Sequence, residues 1–290
     1  MKIFITGASG FIGKNLLPIL KEHDLLCLCH SQVIKHEGQF VEVVTGDLDK
    51  PESYIDALDQ FRPDCCIHLA WHGLPDYSVE TSAKNLFSGI NLVENLVKVG
   101  CKKVFIIGSC WEYGPALGVV SENDESNELA VFASFKTSLR IISDSICRES
   151  NTTLVWGRAF FVYGPGQRMN ALIPTCYRDF KNCEEPRISN PLARNDFVYI
   201  GDVVDSIRIL VESEDSSGMY NIGSGVSSAV WEVVNMVASE LGLPPQYKDM
   251  PITPDGNFAD MARMREHNWV PKMTLTKGIS CTVKKLDSDL

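Results

Sequence analysis

The 290 residues, 44% of them hydrophobic, fit one large α/β domain or a nucleotide-binding domain with a smaller lobe, and they supply a sizeable core. A formal net charge of −10 argues against a nucleic-acid surface and against attachment to an anionic membrane, so an anionic ligand needs locally placed Arg or Lys. No apolar run approaches the ~20 residues of a membrane helix and the chain opens on a core strand, which sets the cytoplasm as the expected location.

Ile3 to Ile5 read as a buried strand that breaks at Gly7, and an amphipathic helix follows with Phe11, Ile12, Leu16, Leu17 and Leu20 on one side. Strand, glycine turn and helix form the first half of a dinucleotide-binding βαβ unit. Gly7 allows the tight turn, Gly10 lets backbone approach a pyrophosphate, and Gly13 lets helix pack on strand. The helix start offers free N–H groups to phosphate. The second strand, Leu25 to Cys29, ends without the acid that would bind the ribose of NAD; Cys29, His30, Ser31 and later Lys35 stand there instead. That ending favours NADP(H), with NAD(H) still open.

Phe40 to Val44 make a third strand, closed by Gly46-Asp47-Leu48, and a helix is expected over 51–61. Asp64 to Ala70 and Val104 to Ile107 are further strands, the latter bounded by Lys103 and Gly108. This alternation requires a parallel sheet covered on both faces: a Rossmann-type doubly wound α/β fold. Leu154 to Phe160 is one more strand. The expected division is residues 1–162 for the nucleotide domain, with strand elements recurring near 190–222, and 163–290 for a substrate-binding lobe. Ten cysteines include no Cys-x-x-Cys pair and no set with zinc spacing, so they read as buried thiols and no metal is expected.

Thr6-Gly7-Ala8-Ser9-Gly10-Phe11-Ile12-Gly13 resembles the fingerprint of the extended short-chain dehydrogenases/reductases, the nucleotide-sugar epimerase/dehydratase/4-ketoreductase family. The similarity extends through the Asn85 to Leu92 helix, Gly108-Ser109-Cys110-Trp111-Glu112-Tyr113-Gly114, Tyr163-Gly164-Pro165-Gly166 and Tyr220-Asn221-Ile222-Gly223-Ser224-Gly225. A closing Asn268-Trp269-Val270-Pro271 carries it to about Ile279. It implies cofactor contacts at Gly7, Ser9, Gly10, Phe11, Ile12, Gly13, His30, Ser31, Asp47, Leu48, Leu69, Ala70 and Lys136. It implies substrate contacts at Trp71, Ser109, Cys110, Trp111, Arg168 and Arg194, the last toward a nucleotide diphosphate.

The family's catalytic signature is Tyr-x-x-x-Lys, which places both side chains on one helix face. Lys136 is present and Ser109 aligns with the substrate-binding hydroxyl, but Phe132 holds the tyrosine position. Two explanations stand: an engineered Tyr-to-Phe change, or a native Phe, either with Tyr113, Ser109 or water supplying the proton or with no catalysis at all. The Asp-Glu pair of sugar 4,6-dehydratases is replaced by Cys110 and Trp111, and the usual Asn of the Arg158 to Gln167 motif by Phe161. The resemblance therefore implies an oxidoreductase acting on a nucleotide-diphosphate sugar, foremost reduction of a 4-keto-6-deoxy sugar. The alternatives are a 4-epimerase with tightly held NAD and a non-catalytic nucleotide-binding relative. It also implies a homodimer built from the Asn85–Val99 and Ala133–Arg148 helices.

Overall fold

Apolar strands followed by amphipathic helices fold back on one another repeatedly along this chain. The structure, a computed structural model, describes residues 1–30, 41–126, 128–254 and 256–289. In chain order the elements are β1 (Lys2–Thr6), α1 (Phe11–Leu16), β2 (Asp24–Cys29), β3 (Val41–Thr45), α2 (Ile55–Phe61), β4 (Cys65–His68) and α3 (Val79–Lys98). Next come β5 (Lys103–Ser109), β6 (Gly118–Val120), α4 (Val131–Glu149), β7 (Thr153–Ala159), β8 (Phe161–Tyr163), α5 (Leu172–Lys181) and β9 (Arg194–Tyr199). The chain continues with α6 (Ile200–Glu212), β10 (Gly218–Ile222), β11 (Ser227–Ala229), α7 (Val230–Glu240), β12 (Asn257–Ala259), α8 (Ala262–Glu266) and α9 (Leu275–Ser288).

The expected elements are present with shifted ends. Phe40 lies outside the described residues, and the third strand runs Val41–Thr45. The first helix stops at Leu16 and tightens into a 3-10 turn, Leu17–Leu20, because Pro18 there has no N–H to continue the ladder. The expected 51–61 helix divides into a 3-10 turn at Pro51–Ser53 and α2.

Two compact units share the chain. The first comprises Met1–Gly114, Glu125–Arg158 and Val204–Tyr220, and the second Pro115–Asp124, Ala159–Val203 and Asn221–Leu290. The first is built on a Rossmann-type parallel sheet of seven strands in the order β10-β7-β5-β4-β1-β2-β3. Strand order reverses between β1 and β4, which pair in parallel from Ile3 with Cys65 to Thr6 with His68. Such a switch leaves a crevice at the strands' carboxyl ends, the usual ligand position in an open α/β sheet. Phe4, Leu26, Leu92, Leu96, Leu139 and Trp156 pack the core below it.

The second unit sets β9 between parallel β8 and antiparallel β11, and pairs β6 with β12. Ile173, Tyr177, Val233, Val237, Ile279 and Val283 form its core. Phe161 leans on Phe197 at 5.9 Å in this cluster. Asp196 ties the unit together: its buried carboxylate accepts from Ser224 N and Oγ at 2.7 and 2.6 Å, Gly225 N at 2.9 Å and Ala259 N at 3.1 Å. The Gly-Ser-Gly turn thus builds the unit's interior. All ten cysteines are free thiols; Cys183 and Cys281 are exposed and the other eight buried. Among the described residues no His/Cys/Asp/Glu group has metal-binding geometry, and no helix is long and apolar enough to cross a membrane.

Replacing Asp196 strands several buried N–H groups at once. Asp196→Ala is expected to destabilise the protein by on the order of 3–5 kcal/mol in urea unfolding, while exposed Glu240→Ala changes little.

Candidate active site at the carboxyl ends of β1, β4 and β5

Gly7 takes φ +75°, and a Cβ there would come within 2.7 Å of Ala70 N. A Cβ on Gly13 would lie 2.3 Å from Gly7 O. These two contacts explain why the turn requires glycine and bring Leu69 and Ala70 beside it: Leu69 N donates to Thr6 O at 3.1 Å, and Ala70 N to Thr6 Oγ1 at 3.4 Å. Gly10 caps α1 with no side-chain acceptor on its first N–H groups, and Gly10 N closes the turn on Gly7 O at 2.9 Å. Ser9, Phe11 and Ile12 share this segment, half-buried. The turn therefore fits a dinucleotide's pyrophosphate, as free N–H donors on a glycine-lined turn suit an anion.

At the adenosine end, His30 directly follows β2, while Ser31 and Lys35 lie outside the described residues. Asp47, at the end of the neighbouring strand, brings its carboxylate to 3.9 Å from His30 Nδ1. The β2 ending itself carries no acid; the carboxylate beside it comes from the end of β3, at a residue expected to contact the cofactor. Leu48 packs partly buried on the core.

The β5 end carries the densest polar network. Ser109 begins a 3-10 turn, Cys110–Tyr113, as a capping box: Trp111 N donates to Ser109 Oγ at 3.2 Å and Ser109 N to Glu112 Oε1 at 2.8 Å. The fully buried Glu112 carboxylate also accepts from Trp156 Nε1 at 3.1 Å and Arg158 Nε at 3.2 Å. Arg158 in turn lies over the Tyr113 ring at 4.4 Å. Tyr113 is thereby locked into the core at 2% exposure, which removes it as a stand-in proton donor. Cys110 is buried as well, whereas Trp111 is exposed.

Lys136 and Phe132 sit one turn apart on α4, both buried. Lys136 Nζ donates to Ile107 O at 2.8 Å and lies 4.0 Å from the Trp71 ring centre. Burial lowers the Lys136 ammonium to about 7, partly opposed by the Glu112 charge. Trp71 has a buried indole N–H without an acceptor. Phe132 forms the hub of an aromatic cluster, edge-on to Trp71 at 5.3 Å, Tyr77 at 5.2 Å and Trp111 at 5.6 Å. The structure thus brings together Ser109, Trp111, Phe132, Lys136 and Trp71. Arg168 and Arg194 belong to the second unit, where Arg168 is exposed and Arg194 donates to Ser227 O at 2.8 Å. Sequence motifs did not single out Tyr77 or the Glu112 network, since neither follows from spacing along the chain.

His68 ends β4 and shares a 2.6 Å hydrogen bond with Thr6 Oγ1 through Nδ1. Burial, helped by the Lys136 charge, lowers its imidazole to about 3. The native ring refuses a proton that the unfolded ring accepts near 6.5, so stability falls as pH drops from about 6.5 toward 3. Between about pH 7 and pH 4.5, the protein is expected to lose roughly 2–3 kcal/mol more in urea unfolding than His68→Gln.

The model of the NAD dependent epimerase/dehydratase family matches residues 3–223. Two relatives align over most of their length. A GDP-6-deoxy-D-talose 4-dehydrogenase of Aggregatibacter actinomycetemcomitans is 27% identical, covering 82% of this chain and 79% of its own. A dTDP-4-dehydro-6-deoxyglucose reductase of Escherichia coli is 24% identical, covering 98% and 97%. The crystal structure of the UDP-glucose 4-epimerase of Thermotoga maritima with UDP-glucose shares the fold at a TM-score of 0.87 and 23% identity, over 100% of this chain and 99% of that one. With a family match running from β1 through β10, this chain belongs to the NAD dependent epimerase/dehydratase family.

Proposed function

We propose that the chain is an oxidoreductase that reduces the C4 carbonyl of a nucleotide-activated 4-keto-6-deoxy sugar. The observation that carries this reading is buried Lys136 anchored on the Ile107 carbonyl of β5, the strand that ends in Ser109, while the dehydratase acid pair is missing. Cys110, buried in the core, and Trp111 supply no proton for a C5–C6 elimination. The two relatives described above are named for chemistry at position 4 of nucleotide-linked 6-deoxy sugars, which supports the same substrate class.

Each residue then has a role set by its surroundings. The glycine turn from Gly7 to Gly13 holds the pyrophosphate, and Lys136 holds the nicotinamide ribose. Trp71, whose ring lies 4.0 Å from Lys136 Nζ, flanks that contact. Ser109 donates from its hydroxyl to the sugar oxygen, with Glu112 fixing its backbone. When bound, the dinucleotide supplies the hydride. Arg168 and Arg194 are the proposed diphosphate contacts of the second unit. A homodimer through α3 and α4 is supported by exposed Phe87, Ile141 and Ile142 on those helices.

For the cofactor, Asp47 weighs against the 2′-phosphate that the bare β2 ending had favoured. We therefore place NAD(H) ahead of NADP(H). A like charge at about 4 Å costs ~1 kcal/mol in water, a factor of about five. Asp47→Asn is expected to tighten NADPH binding about fivefold in calorimetry and leave NADH nearly unchanged.

A second reading, nucleotide binding without turnover, is favoured by Phe132 and by the Trp71 ring over Lys136. Nicotinamide absorbance separates the two. Purified protein with NADH and a dTDP- or GDP-linked 4-keto-6-deoxyhexose is expected to oxidise one NADH per sugar. Binding of both ligands with no oxidation establishes the second reading.

A further inference from the structure

Phe132 leaves the site without its phenol, yet a phenol lies against it. Among the described residues three rings contact Phe132, those of Trp71, Tyr77 and Trp111, and only Tyr77 carries a hydroxyl. We propose that Tyr77 supplies the proton that Phe132 lacks, donating from the β4–α3 loop to the C4 oxygen of a nucleotide-bound 4-keto sugar. This inference rests on the reductase reading above.

The loop that carries Tyr77 is held at both ends. His72 N donates to Asn85 Oδ1 at 2.6 Å, and Asn85 Nδ2 returns to His72 O at 3.0 Å, tying the loop's start to α3. On the far side Asp76 N donates to Gly73 O at 2.8 Å. The Asp76 carboxylate accepts from Ser78 N at 2.9 Å, Ser78 Oγ at 3.1 Å and Thr81 Oγ1 at 2.5 Å. Ser78 is the N-cap of α3 and Thr81 lies in its first turn. Tyr77 stands between Asp76 and Ser78, so its backbone is fixed by the helix start. Its ring rests on Phe132 and, at 5.1 Å, on Trp111. Fixed placement is what general acid catalysis demands.

The ring also remains 36% exposed, which gives it water on one side and the aromatic cluster on the other. As hydride arrives at the carbonyl carbon, the carbonyl π pair moves to oxygen and takes the proton from the Tyr77 O–H. The phenolate regains its proton from water. The sugar is reduced, the dihydronicotinamide oxidised, and the net proton comes from solvent. Phe132 then serves as the wall that orients the phenol.

Tyr77→Phe, Phe132→Tyr and the double variant test this. With NADH and a dTDP- or GDP-linked 4-keto-6-deoxyhexose, Tyr77→Phe is expected to lower kcat by ~10²–10⁴ with KM changed less than tenfold, and the double variant to regain at least tenfold. Without cofactor, calorimetry reads the same hydroxyl. Tyr77→Phe is expected to weaken the nucleotide-linked 6-deoxyhexose product by about 2- to 10-fold and leave the nucleoside diphosphate alone unchanged. Turnover by the wild type that survives Tyr77→Phe overturns the Tyr77 role and leaves the reductase reading standing. Turnover by Phe132→Tyr but not by the wild type does the same. No turnover by either overturns both.

Discussion

The Glu112 carboxylate is the interaction on which the site depends. Buried from solvent, it accepts at once from the Ser109 backbone, the Trp156 indole and the Arg158 guanidinium. A single charge in the interior costs several kcal/mol unless its lone pairs are satisfied, and here three donors from β5 and β7 converge on it. The same charge acts on Lys136, holding its ammonium higher than burial alone would. One carboxylate therefore sets the Ser109 turn, locks Arg158 over Tyr113, and tempers the cation that would grip a ribose. Loss of any donor leaves a charge in the core, so these residues act as a unit and not as independent contacts.

The fold was legible because its signals are local. Apolar runs such as Ile3 to Ile5, a glycine turn at Gly7 and repeated strand–helix alternation need no distant partner to be read. Element ends were less legible where one residue decides them, as Pro18 does for the first helix. Half of the candidate site was legible for the same reason: Lys136 and Ser109 belong to motifs with fixed spacing. Tyr77 and Phe132 are 55 positions apart and touch only through the fold. Asp47 likewise reaches His30 from a neighbouring strand, and strand order is a property of the sheet, not of either segment.

The second unit applies the same device as the first to a different end. Asp196 is as deeply buried as Glu112, but its partners are backbone N–H groups of turns and a strand, with one serine hydroxyl. Its work is to shape the Ser224–Gly225 turn and hold β12 beside β9. Phe161 shows the corresponding choice at a motif position: leaning on Phe197, it adds an aromatic ring to that unit's core.

The buried cysteines have a consequence for the protein's chemistry in an oxidising cell. Burial pushes the Cys27 and Cys176 thiols up to about 12 and Cys147 to about 11, and raises Cys65 and Cys66 further. Peroxides and electrophiles attack the thiolate, and at neutral pH these sulfurs offer almost none. Only Cys183 and Cys281 meet solvent, both in the second unit. Thiol oxidation of the folded protein would therefore begin at that unit's surface, while the buried cysteines of the sheet that ends in Ser109 stay as inert as methyl groups.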